Sequence, residues 1–163
     1  MPLVLYPDER LTQRAEPRPV DDGLRAVGTR LLEAAKAAEA YGLAAIHMGT
    51  LAPVVVISTD PDQGKREYLL LYNPKVEAVA DALLVGPEGS VSMPGVQIEI
   101  ARPIWAEIAF DDEKGERHTR RFEGLPARIA LHEIEQMNGI FFLSRLSRLK
   151  REIVLKKWKK RAG

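Results

Sequence analysis

The chain contains no cysteine, which removes disulfides, thiolate metal sites and cysteine nucleophiles together and gives no sign of an oxidising compartment. No stretch approaches the ~20 apolar residues of a membrane span. The opening MPLVLYPDERL has neither a basic flank nor a sustained apolar run, so no targeting segment is read and a cytoplasmic address without a membrane partner is expected. Aromatic residues are scarce, at 6%. None forms a stacking motif beside the basic residues, which argues against a general RNA-binding module.

What is present suffices for a packed interior. With 163 residues, 45% hydrophobic and 29% charged, the chain fits one domain that buries ~70% of its unfolded surface. Neither repeat nor low-complexity linker divides residues 1–163, so a single domain is expected. The net charge of +1 is unevenly spread. Residues 145–163 hold nine Lys/Arg and one Glu, so +8 sits there and −7 on residues 1–144.

Local patterns give an order of helix, strands, helix and basic helix. Asp21 or Asp22 caps a helix to about Tyr41, with Leu24, Val27, Leu31, Ala35 and Ala38 on one face and Gly42 as terminator. VVVIST (54–59), YLLLYNP (68–74) and ALLVG (82–86) read as strands of a mostly antiparallel sheet. From Val96 to Phe110 the chain alternates, placing Val96, Ile98 and Ile100, then Ile104, Ala106, Ile108 and Phe110, on one side with a change at Arg102-Pro103. DDEKG (111–115) turns it back. A second helix is expected over about Pro126 to Asn138, with Gly139 past its end. In the last helix Leu146, Leu149, Ile153 and Trp158 are expected against the body, with Lys and Arg outward.

Three segments carry chemistry. HEIEQMNGIFF (132–142) sets His132 and Gln136 four apart on one helical face with Glu133 beside them, the spacing by which a helix holds a metal and aims a carboxylate at its water. The second histidine of such a motif is missing, and a lone buried histidine bonded to a neighbour is the commoner arrangement. EGSVSMPG (88–95) and YGLAAIHMG (41–49) stand upstream.

Taken together, in this order and spacing, the three segments resemble the GxGLAAxQ, EGCLS and HExxH segments of the peptide deformylase family. Tyr72-Asn73-Pro74, Arg102-Pro103 and FEGLPARIALHEIEQMNG resemble its flanks, and the likeness covers roughly residues 3–160. It implies an α+β fold, with antiparallel sheets around a central HExxH-type helix and a C-terminal helix outside.

The resemblance also assigns positions. The family's three metal ligands fall on Ser90, His132 and Gln136, of which only His132 is retained. A serine hydroxyl stays neutral and an amide oxygen is a weak donor, so the tight site of a thiolate and two imidazoles is not expected to survive, and no cofactor is expected. Glu133 matches the general acid/base, His47 the oxyanion-donating glutamine, Ile46 the preceding proline, and Val91 the residue whose backbone N–H faces the oxyanion. Gly42, Gly89 and Ile46 fall where the family holds substrate.

Several alternatives stand. His47, His132 and Glu133 could rebuild a 2-His-1-carboxylate site for Fe, Zn or Ni. Ser90 and His132 could form a nucleophilic pair, although a plain hydrogen bond between them is favoured. His118 reads as part of a solvated face, and Met48, Met93 and Met137 as gap-fillers near an apolar pocket. The basic tail is similar in character to deformylase extensions that dock on the ribosome, so ribosome or RNA association is a further expectation. Two functions follow: a deformylase-like pseudoenzyme that keeps an N-terminal-peptide-binding pocket, or an active peptide deformylase or related amide hydrolase with an altered metal site.

Overall fold

A computed structural model describes residues 2–62 and 64–162. In chain order they form α1 (Asp22–Ala38), β1 (Gly42–Ala44), β2 (Val54–Ser58), β3 (Tyr68–Val79), β4 (Leu83–Gly89), β5 (Gln97–Pro103), β6 (Trp105–Asp111), β7 (Arg117–Glu123), α2 (Gly124–Met137) and α3 (Arg148–Ala162), with short 3-10 turns at Glu9–Thr12, Ala45–Met48 and Phe142–Arg145. All strand pairings are antiparallel. Five strands form a sheet in the order β1-β2-β3-β6-β7, and β4 and β5 form a separate ribbon.

Helix α1 begins where Asp21 accepts the Leu24 N–H at 2.8 Å, the role of an aspartate cap. Leu24, Val27, Leu31 and Ala35 are buried as their spacing requires, whereas Ala38 is exposed. The helix ends earlier than expected, at Glu39 in the left-handed region with φ 51°, and the Ala40 N–H closes the turn on Ala35 O. Gly42 is therefore not its terminator but the first residue of β1.

Strand β3 continues past Tyr72-Asn73-Pro74, where a strand end was expected. Its register against β6 shifts between Tyr72 and Lys75, as suits a bulge at a proline without an N–H. Asn73, at φ 47°, ties this bulge down by donating to Arg18 O at 2.7 Å and Asp111 Oδ2 at 2.9 Å. The alternation of β5 and β6 holds for Ile98, Ile100, Ala106, Ile108 and Phe110. Ile104 is instead 42% exposed, because it is the corner residue between ribbon and sheet.

Helix α2 starts two residues before Pro126 and is buried almost all round, as a helix with protein on every side must be. It packs against β1, β2, β3, β6 and β7 of the sheet and against β5 of the ribbon. Gly139, at φ 80°, follows its end as expected. On the ribbon side α3 closes a third core, separate from the main one and from that under α1, through Val154, Leu155 and Trp158, with Leu146 preceding it, against Met93, Ile98, Ile100, Phe142 and Leu143. The expected inner face is wrong in two positions: Leu149 and Ile153 are 68% and 50% exposed. Among the described residues, no helix is long and apolar enough to cross a membrane.

Candidate active site

A cleft of about 500 Å³ opens between α2, the start of β1 and the end of β4. Gly42, His47, Gly89, Ser90, Val91, His132 and Glu133 all line it, so the fold brings these seven positions to one place. Ile46 and Gln136 do not. Ile46 packs into the main core with Ala44 and Val55, away from any ligand in the cleft. Glycine at 42 is a packing requirement, since a Cβ there would lie 2.7 Å from Ile129 Cγ2 and 2.9 Å from Glu133 Cγ. The absent side chain lets β1 lie against the face of α2 that carries Glu133.

His132 is anchored from behind. Its Nδ1 lies 2.8 Å from Glu88 Oε1, and Phe142 meets the ring edge-on at 5.5 Å. Glu88 also accepts from Arg102 Nε at 2.8 Å, Arg102 Nη2 at 2.9 Å and Arg128 Nη1 at 2.7 Å. Burial alone would push this carboxyl up, but the hydrogen bonds from Arg102 and His132 outweigh it and hold it at about 2. An ionised Glu88 can only accept, so the His132 nitrogen facing it carries the proton. Arg128 donates further to Ile100 O and Leu84 O, and Arg102 to Glu135, which also pairs with Arg145.

This buried network was missed in the sequence, although a signal existed. Arg102 continues the inward row of Ile98 and Ile100, and a cation on a buried face calls for a carboxylate. Glu88 was in view at the head of EGSVS.

Glu133 and His47 form the other side of the site. Glu133 is fully buried and its carboxyl is pushed up to about 7, chiefly by burial. His47 is brought down to about 3, by burial and then by the charge of His132. The Ala44 N–H donates to His47 Nδ1 at 2.9 Å, leaving the proton of the neutral ring on Nε2. His47 Nδ1 and Glu133 Oε1 stand 3.8 Å apart, too far for a hydrogen bond. Both His47 Nε2 and Glu133 Oε1 are buried without a partner among the described residues.

The donor set does not fit the family's metal. Ser90 Oγ accepts the Ser92 N–H at 3.1 Å in a local turn. Gln136 is 1% exposed and its amide donates to Leu11 O at 2.7 Å, which ties it to the N-terminal segment. One imidazole remains as a strong donor. The alternative set fares no better, since the ligand atoms of His47, His132 and Glu133 do not converge within 4.8 Å. Among the described residues only Asp112, Glu116 and His118 do so, on an exposed hairpin. There Asp112 already accepts from Lys114, Glu116 and His118.

The favoured Ser90–His132 hydrogen bond is not formed either: each has the other partner just described. Of the methionines, Met93 lines the cleft, Met137 lies in the main core and Met48 packs under α1.

Comparison with known proteins agrees with the fold and the motif order. The polypeptide deformylase family model matches residues 1–152. A peptide deformylase-like protein of Bradyrhizobium diazoefficiens is 41% identical over 160 residues, covering 98% of this chain and 92% of that protein. A peptide deformylase of Rhizobium meliloti is 32% identical over 162 residues, covering 99% and 93%. Among solved structures, the peptide deformylase of Ehrlichia chaffeensis in complex with actinonin superposes with a TM-score of 0.90 at 28% identity, covering 99% and 96%. By its family model, its relatives, its fold and the order of its altered motifs, the chain belongs to the peptide deformylase family.

Proposed function

We propose that the chain is a deformylase-like protein whose cleft binds the N-terminal end of a peptide and in which metal-dependent deformylation is absent or feeble. The observation that carries this reading is the hydrogen bond from Gln136 to Leu11 O. The third ligand position is engaged elsewhere, while a neutral hydroxyl stands at the first. Losing even a group behind a ligand costs ~10–100-fold in metal affinity, and here two ligands themselves are changed. No divalent metal, whether Fe, Zn or Ni, is expected to be held tightly by Ser90, His132 and Gln136.

The cleft keeps features suited to a peptide end. His47 Nε2 supplies an unpartnered donor and Glu133 Oε1 an unpartnered acceptor, the complement of a secondary amide, which offers one carbonyl and one N–H. Val91, Gly89 and Gly42 line the same cleft, and the solved Ehrlichia chaffeensis structure holds actinonin. The basic face of α3 supports association with the ribosome or RNA, in a cytoplasmic setting.

A second reading has its own support. The Glu88, Arg102 and Arg128 network still orients His132, and Glu133 still lines the cleft, so an active peptide deformylase with an altered metal site remains the competitor. Glu133 would then act as the base toward water. The discriminating experiment is metal content of anaerobically purified protein offered Fe²⁺, Zn²⁺ and Ni²⁺ in turn, with formate release from a formyl-methionyl peptide. Substoichiometric metal and no formate are expected; stoichiometric metal with turnover overturns the proposal. Ser90→Cys with Gln136→His should restore metal uptake, and failure to do so argues against these two positions as the altered ligands.

A further inference from the structure

Beside the cleft lies a notch of about 270 Å³ between the 95–97 segment and the last turns of α3. Gly95, Val96 and Gln97 line both the cleft and the notch, so a chain leaving the cleft across this lip enters the notch next. On α3, Ile153, Lys157 and Arg161 follow at four-residue spacing and share one stripe, and all three line the notch together with Trp158. Arg161 lies on the lip itself: a Cβ at Gly95, whose φ is +80°, would stand 2.4 Å from its Nη1.

The electrostatics are one-sided. Among the described residues no carboxylate lines the notch, and the ion pair within α3 is Arg148–Glu152, at the far end of the helix. Lys157 and Arg161 thus present two unneutralised cations beside an indole, next to the exit of a peptide-sized cleft. We propose that this notch is a subsite for a carboxylate, carried by an Asp or Glu side chain of the bound peptide downstream of its N-terminal residue. The inference rests on the peptide-binding function proposed above and adds its sequence preference.

The test uses the full chain and formyl-methionyl peptides of fixed length, alanine elsewhere, in which one Asp or one Lys is walked along successive positions. Affinity is read by fluorescence anisotropy at ionic strengths of about 0.01 M and about 1 M, where the Debye length falls from ~30 to ~3 Å. One Asp position should tighten binding about 3- to 5-fold at low salt, the range of an exposed ion pair. That gain should vanish at high salt and in Lys157→Ala/Arg161→Ala, persist in Lys156→Ala/Lys160→Ala, and pass to the Lys peptides in Lys157→Glu/Arg161→Glu.

Equal affinities for the Asp, Lys and alanine peptides overturn the subsite and leave peptide binding by the cleft standing. An equal loss in Lys156→Ala/Lys160→Ala shows diffuse attraction by the whole helix and overturns the subsite too. No binding by any peptide overturns the proposed function, and the subsite with it.

Discussion

Glu133→Gln should make the protein more stable at pH 8 and leave its stability unchanged near pH 4. The carboxyl is fully buried, and burial raises it from 4.5 to about 7. For an acid whose folded value lies above its unfolded one, the protonated form is the one folding favours. Below pH 4.5 both states hold the proton and nothing is lost. As pH rises from 4.5 through 7, the unfolded chain releases a proton that the folded chain retains, and stability falls; above 7 the deficit levels off. A shift of roughly 2.5 units corresponds to about 3 kcal/mol at 1.36 kcal/mol per unit.

Glutamine keeps the shape without the charge and so escapes that loss. For a chain of this size the gain amounts to about 6–12 °C in melting temperature at pH 8. The assay is urea unfolding of wild type and variant, followed by circular dichroism in the presence of a chelator, at pH 4 and pH 8. A variant no more stable than wild type at pH 8, or a gap of the same size at both pH values, refutes the reasoning. The measurement also reads the site's contents: a divalent cation bound at His132 would favour the charged Glu133, so a gap that opens only after chelation shows that a metal had been there.

Glu88→Gln leaves the buried Arg128 guanidinium without its anion and Arg102 with Glu135 alone, and chemical denaturation should show a loss of about 3–5 kcal/mol at pH 7. Because Glu88 sits at about 2 in the folded protein, its contribution is full above 4.5 and is lost as pH falls through 2; an acid titration in which the gap between wild type and variant does not narrow below pH 4.5 contradicts this. Gly42→Ala forces a methyl against Ile129 and Glu133, and thermal melting should show a cost of about 1–3 kcal/mol together with weakened peptide binding. A variant with unchanged melting and affinity would mean that β1 does not set the position of Glu133.

Much of the fold could be read in the sequence because each local signal agreed with the next: a capping Asp21, an apolar stripe on α1, alternation in β5 and β6, and Gly139 behind α2. The errors came where tertiary contacts decide. Gly42 looked like a helix stop, but its glycine answers to Ile129 and Glu133 across the fold. Leu149 and Ile153 share the apolar character of Leu155 and Trp158, and only the placement of α3 against the 93–100 segment decides which of them is covered. Within the site the residue types were readable and their directions were not. Whether Gln136 faces the cleft or Leu11 depends on a segment 125 positions away.

The division between what the site keeps and what it lacks follows from where each group's partners are. His132, Arg102 and Arg128 all converge on Glu88 inside the protein, and removing that carboxylate strands charge in a dry interior, a cost of several kcal/mol. That network therefore contributes to the fold whether or not His132 meets a metal. Ser90 and Gln136 stand differently. Their hydrogen bonds, local from the Ser92 N–H to Ser90 and long-range from Gln136 to Leu11 O, are ones that a neutral side chain can make, and they stabilise the turn and the N-terminal segment without any ion. Retained histidine orientation is thus weak evidence of catalysis in this chain. The firmer pointer is to binding: within the cleft, His47 Nε2 and Glu133 Oε1 find no partner among the described residues, and leaving such atoms unpaired costs stability that a bound polar group or water returns.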